Sequence, residues 1–285
     1  LNQIFFASQK SEYNSYLLTS INACYFILLC ILKHLNIENI LWVSICYGGC
    51  LVFVYLIFTS IYFSKHKEYT PNFKLINYKL VKKITSGGFK IIYIQFLFFL
   101  FIGLDRFFAT SYISNYEAAR LDIVMKLAGV ILFPWSIISQ PLWSAYKKAS
   151  EENNLIWIKS IYKKLLLFFC FIILVSILLL VVFDFLLLVW IREPIYFSLS
   201  EKLLALTLIL SIMWCNIHYD LLFGLEKYKL GIISVSVGLL IKLMILTSYH
   251  GHWSITVILS SSILAYLTFN FVCPIFINKY LNNAK

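Results

Sequence analysis

Eight stretches of this chain are each long and apolar enough to cross a lipid bilayer, and that feature leaves few folds open. A hydrocarbon core about 30 Å thick needs roughly 20 apolar residues of helix. Runs of that kind lie at approximately 14–32, 40–63, 86–110, 121–145, 165–190, 203–224, 231–249 and 254–277. They are continuous in Leu, Ile, Phe and Val and lack the two-residue alternation of a barrel strand. The expected fold is an all-α polytopic membrane protein with eight transmembrane helices. Composition agrees, because only 13% of the residues are charged, against about 25% in a typical soluble domain.

The net charge of +11 would raise the question of nucleic acid in a soluble protein. Here the cations follow the loops. Sixteen of the 24 Lys and Arg fall in the ends and alternate connections that hold Lys10, Lys65–Lys83, Lys147–Lys164, Lys227, Lys229, Lys279 and Lys285. The opposite connections hold five, Lys33, Arg106, Arg120, Arg192 and Lys202, and three more lie inside spans. Cytoplasmic loops retain Lys and Arg, so both ends are expected in the cytoplasm and nucleic acid is not an expected partner. The seven cysteines all fall within predicted spans, with no CxxC pair. They read as small packing residues rather than a disulfide frame or a metal site.

The opening stretch Gln3-Ile4-Phe5-Phe6-Ala7-Ser8-Gln9-Lys10 resembles Asp220-Leu221-Leu222-Phe223-Gly224-Leu225-Glu226-Lys227, and each copy is followed by two spans. Read as a repeat of two lobes, this makes residues 1–63 the last two helices of a first lobe, 64–85 a basic inter-lobe loop, and 86–285 a six-helix second lobe. The eight spans are then helices 5–12 of a twelve-helix transporter, with about 130 residues expected before Leu1; parallel lobes of this kind are a known transporter plan. The alternative is a complete eight-helix protein.

Charges inside spans are costly, and those retained face a cavity, pair, or reach the interface. Lys242, in Ile241-Lys242-Leu243, has no acid within a turn on its own helix, and cavity-facing and snorkelling readings both stand. Asp122 and Lys126 are four residues apart and read as a neutralising pair. The functional reading makes Arg120 and Lys126 a cationic rim, with Asp122 orienting them or carrying a proton. Asp105 and Arg106 end the third span as an interfacial pair or a pathway element, and Lys90 is close enough to a span end to snorkel. Asp184 lacks a nearby cation in sequence and is expected to pair with Lys242 or Lys126 across helices, or to titrate. The cationic lean favours an anionic ligand such as a phosphate or pyrophosphate. Pro134 and Pro141 are expected to kink their helix, either as a hinge or as a static bend, with nearby Ser and Gln side chains filling the freed carbonyls.

The block from Gly103-Leu104-Asp105-Arg106 to Tyr116-Glu117-Ala118, the Pro134 segment, Gln140-Pro141-Leu142-Trp143-Ser144-Ala145-Tyr146 and the basic stretch to Lys164 resemble bacterial O-antigen and polysaccharide flippases. That superfamily also contains multidrug extruders and the lipid II flippase. The resemblance implies two six-helix lobes and alternating-access translocation of undecaprenyl-pyrophosphate-linked repeat units across the bacterial inner membrane. It further implies a cationic cavity, for which Lys126, Lys242, Arg106, Arg120 and Lys90 are the available positions. Partners would be the lipid-linked oligosaccharide and the polymerase and chain-length machinery of its pathway, with no cofactor and no catalytic residue. The sequence departs from the family at Arg120-Leu121, where an aromatic residue is common, and lacks the first four helices, so the chain by itself is expected to be inactive. Alternatives are a multidrug exporter of the same fold and, further off, a membrane glycosyltransferase or polymerase.

Overall fold

The computed structural model describes residues 4–5, 11–37, 39–72, 77–192, 195–249 and 253–283, and no strand occurs among them. Eight helices are long and apolar enough to cross a membrane. They are α1 (Ser11–His34), α2 (Ile40–Lys65), α3 (Tyr78–Tyr112), α4 (Asn115–Glu151), α5 (Leu155–Ile191), α6 (Leu199–Gly224), α7 (Tyr228–Ser248) and α8 (Ile255–Asn283). The chain divides into two compact units, Leu1–Val81 and Lys82–Lys285.

In the first unit α1 and α2 form a hairpin around Leu17, Ile21, Val54 and Tyr62. Asn36 closes its turn in the left-handed region, φ 54°, while the Ile37 N–H donates to the Leu32 carbonyl. Asn39 then caps α2 by accepting from the Leu41 N–H at 2.9 Å. Of the opening repeat copy only Ile4 and Phe5 lie within the described residues.

In the second unit α6 and α8 sit at the centre. Other residues cover 56% of the most apolar window of α6, against 17% for α5. Small residues set the closest crossings. A Cβ added at Gly238 of α7 would lie 2.6 Å from the Ala265 carbonyl oxygen and 2.9 Å from Thr268 Oγ1 of α8. One added at Gly224 of α6 would lie inside 3.0 Å of Tyr146 Cβ on α4. Such close approach is how helices associate where lipid removes the hydrophobic drive. Aromatic rings couple α3 to its neighbours: Phe98 meets Tyr219, Phe101 meets Tyr266 and Phe108 stacks on Trp253.

The basic connection 146–164 is helical rather than a loop. α4 and α5 have 37 residues each, about 55 Å at 1.5 Å per residue, so both continue past a hydrocarbon core. They are joined only by residues 152–154, where Asn153 takes φ 55° and the Asn154 N–H donates to the Ala149 carbonyl at 2.8 Å. The α6–α7 turn has the same form, with Glu226 at φ 57° and the Lys227 N–H on the Leu222 carbonyl. A glutamate there costs about 1 kcal/mol relative to glycine, and an ion pair from Lys147 at 2.9 Å ties it down.

Pro134 and Pro141 both lie within α4, which continues through them. The expected filling of the freed carbonyls by nearby serines is not what occurs. A proline leaves the carbonyl four residues back without its donor, here Val130 and Ile137. Ser136 instead donates to Phe133 at 2.7 Å and Ser144 to Pro141 at 3.0 Å, because a helical hydroxyl reaches only its own preceding turn. The Gln140 side chain lies outside the described residues. Pro274 in α8 shows the other solution. The carbonyl it frees, that of Asn270, accepts from Trp214 Nε1 of α6 at 3.1 Å, and Asn270 Nδ2 returns a bond to the Ser211 carbonyl.

Candidate functional site

Three clusters of charged residues stand out within the second unit's helices, and the deepest lies between α3, α7 and α8. Lys242 is fully buried and Asp105 is 6% exposed. Asp105 stands seven residues before the end of α3, Lys242 six before the end of α7, and Ser262 seven after the start of α8. They therefore share one layer, about 10 Å below the helix ends. Lys242 Nζ lies 2.7 Å from Asp105 Oδ1. It also donates to the Phe101 carbonyl, and sits 4.1 Å from the centre of the Phe101 ring. Ser262 Oγ reaches both carboxylate oxygens at 3.0 Å. Tyr266, one turn from Ser262, closes the cluster through its ring contact with Phe101 at 4.7 Å.

This arrangement revises both readings of Lys242. It opens neither to a cavity nor to the interface, because Asp105, from a helix far away in sequence, meets it inside the unit. Asp105 is accordingly not paired with its neighbour Arg106. A buried ion pair offsets its desolvation only when the remaining donors and acceptors are also satisfied, and here the ammonium and carboxylate find such partners.

The second cluster is centred on Arg120, 7% exposed. Nη1 donates to Glu117 at 2.8 and 2.9 Å; Nη2 donates to Glu201 at 2.7 Å and to the Tyr196 carbonyl at 2.8 Å. The Phe197 ring lies 4.5 Å from the guanidinium carbon. Two caps prepare these partners. Ser114 caps α4 through the Glu117 N–H, and Ser198 and Glu201 form a reciprocal capping box on α6. Arg120 thus bolts the start of α4 to the start of α6, and its fork is occupied instead of forming a free rim.

The third cluster is more open. Arg106 pairs with Asp122 at 3.5 Å, with side-chain exposures of 70% and 39%. The expected Asp122–Lys126 pair is not formed, because Arg106 arrives from α3 and takes the carboxylate. Lys126, one turn further along α4, is exposed, as is Lys90 on α3. Asp184 meets neither Lys242 nor Lys126. Its partner is Lys202 at 2.5 Å, brought over by the short α5–α6 connection.

Two polar sites escaped sequence reasoning. His218 Nδ1 lies 2.7 Å from the Trp214 carbonyl, which can only accept, so Nδ1 carries a proton, and Nε2 lies 2.9 Å from the Tyr162 hydroxyl. Asp220, on the face of α6 one turn from Gly224, has a buried Oδ2 with no hydrogen-bond partner among the described residues. Tyr146, fully buried on the facing helix, has a hydroxyl with no hydrogen-bond partner among the described residues. The available signal was an acid within an apolar run, and the repeat motif absorbed it. Asp220→Asn keeps the size and is expected to leave the thermal midpoint in detergent unchanged or raise it, since an unpaired buried polar group costs about 1–3 kcal/mol. A fall of several degrees would mean that the carboxylate is held by a partner in the folded protein.

No group of three or more His, Cys, Asp or Glu that could hold a metal occurs among the described residues. The chain matches no family model, no curated protein and no solved structure.

Proposed function

We propose that this chain is the greater part of a transporter that flips an undecaprenyl-pyrophosphate-linked polysaccharide repeat unit across a bacterial inner membrane by alternating access. The observation that carries the reading is the division of labour among charges in the second unit. Lys242 and Arg120 are consumed in closed clusters, whereas Arg106, which pairs with Asp122, and Lys126, one turn beyond Asp122 on α4, remain exposed. Arg106, Asp122 and Lys126 together leave one net positive charge on this exposed strip, and a cation so placed is suited to a pyrophosphate head group. The connections between the helices of this unit are at most seven residues long, which fits movement of a ligand better than glycosyl transfer. Lys90 is a second exposed cation on α3 and belongs to the same reading. The twelve-helix, two-lobe plan and the cytoplasmic placement of both ends of this chain are part of the proposal.

The test uses the complete reading frame in a host whose own copy is deleted. Lys126→Ala and Arg106→Ala are expected to reduce surface polysaccharide at least about tenfold at unchanged protein level, the order produced by removing one charge contact worth about 1.4 kcal/mol or more. Lipid-linked repeat units should accumulate, and Lys126→Arg should retain export. Normal polysaccharide in both alanine variants overturns the reading. A second reading, export of organic cations by the same fold, is favoured by the buried Asp220 Oδ2, which has no hydrogen-bond partner among the described residues. It predicts increased drug sensitivity in the deletion strain and in Asp220→Asn, with polysaccharide unaffected.

A further inference from the structure

We propose that Cys24 and Cys50 are an oxidisable dithiol that forms a reversible disulfide between α1 and α2. The two sulfurs lie 3.2 Å apart. Cys24 is ten residues before the end of α1 and Cys50 ten residues after the start of α2, so the hairpin brings them level, about 15 Å from its closed end. Tyr25 and Tyr47 meet at 5.1 Å nearer the turn, and the Leu17, Ile21, Val54 and Tyr62 cluster lies further from it. The pair is therefore held in register from both sides. A disulfide needs an S–S distance of about 2.05 Å, so the sulfurs must close by only about 1.2 Å.

The other cysteines lack this geometry. Cys30 and Cys170 are exposed and have no thiol contact among the described residues. Cys46 is one turn from Cys50 on the same helix and makes no sulfur contact among the described residues. Cys215 and Cys273 are both buried, and no sulfur contact joins them among the described residues. Within the pair the roles divide by access, which governs cysteine reactivity. Cys24 is half-buried and meets the oxidant; Cys50, 2% exposed, resolves it.

The oxidant is a small peroxide. In the first step the Cys24 sulfur takes one peroxide oxygen: an S–O bond forms, the O–O bond breaks, and the thiol proton leaves with the second oxygen as water. In the second step the Cys50 sulfur attacks the Cys24 sulfur. The S–S bond forms, the S–O bond breaks, and the departing hydroxyl takes the Cys50 proton as a second water. Two thiols are oxidised by two electrons in all and one hydrogen peroxide is reduced to two waters. A dithiol reductant reverses the product by exchange.

The experiment treats the full-length protein in membranes with hydrogen peroxide, removes the oxidant, denatures, and counts thiols with a maleimide mass tag. Untreated chain should take seven tags on the residues of this sequence, and peroxide-treated chain two fewer, at monomer mass on a non-reducing gel. Dithiothreitol should restore both. Cys24→Ser and Cys50→Ser should each abolish the paired loss, whereas Cys46→Ser and Cys215→Ser should retain it. A non-reduced digest should contain one linked peptide pair joining positions 24 and 50. Loss of no tags, a loss that survives Cys24→Ser, or a disulfide-linked dimer overturns the proposal.

Discussion

Lys242→Met is expected to destabilise the six-helix unit by about 3–5 kcal/mol, the usual cost of removing one partner from a buried ion pair. The substitution fits the space, but strands the Asp105 carboxylate with Ser262 alone, inside a layer where the ammonium was fully buried. Asp105→Asn should be nearly as damaging, because the ammonium keeps only the Phe101 carbonyl and the Phe101 ring. The informative variant is the double one. Asp105→Asn with Lys242→Met removes both charges together, and replacement of a buried pair is often neutral. The double variant is therefore expected to recover most of the lost stability, a strongly non-additive cycle. Thermal unfolding in a fixed detergent checks it, with the midpoint of each single variant well below the others. Two wild-type-like single variants would show that the pair is not formed in the folded protein.

Arg120→Ala ranks second, at about 2–4 kcal/mol, in keeping with the loss of hydrogen-bonded charge partners that are only partly screened. Two carboxylates, Glu117 and Glu201, would then face one another across the gap between α4 and α6, with side chains only 20% and 12% exposed. Arg120→Lys should rescue little, because one ammonium cannot supply the fork that serves Glu117 on one arm and Glu201 with the Tyr196 carbonyl on the other. Glu117→Gln combined with Glu201→Gln should soften the Arg120→Ala defect by removing the repulsion. Limited proteolysis at Tyr196 or Phe197 reports the release of this connection directly; cleavage equal to wild type in Arg120→Ala would contradict the assignment.

These two clusters also mark where reading the sequence succeeds and where it stops. The eight spans were legible because bilayer thickness imposes a minimum apolar length on every crossing helix. Their ends were less so: α4 and α5 run on through the basic stretch because Lys and Glu, although polar, are good helix formers. Charge partners were the weakest part. The expected Asp122–Lys126 pair had the correct helical spacing, but spacing on one helix says nothing of an arginine arriving from another. Asp105 and Lys242 were each noticed separately. Nothing local joins them, since their contact depends on how α3, α7 and α8 pack. Pro274 went unremarked, although it is the proline whose freed carbonyl is taken up by a neighbouring helix.

The separation of the buried ion pair along the chain has a consequence in time. Phe101, which shares the Lys242 ammonium with Asp105, precedes that lysine by 141 residues. At roughly 5–20 residues per second of synthesis, Lys242 follows about 7–30 s later. A helix forms within about a microsecond, so α3 is complete long before its counter-charge exists. During that interval Asp105 must be held by something other than its final partner, such as water, a lipid head group or the insertion machinery. The tight turns at Asn153 and Glu226 need no such wait, being local to the hairpins they close. Assembly of this unit is therefore ordered, with hairpins made as they emerge and α3 locked in place only when α7 arrives.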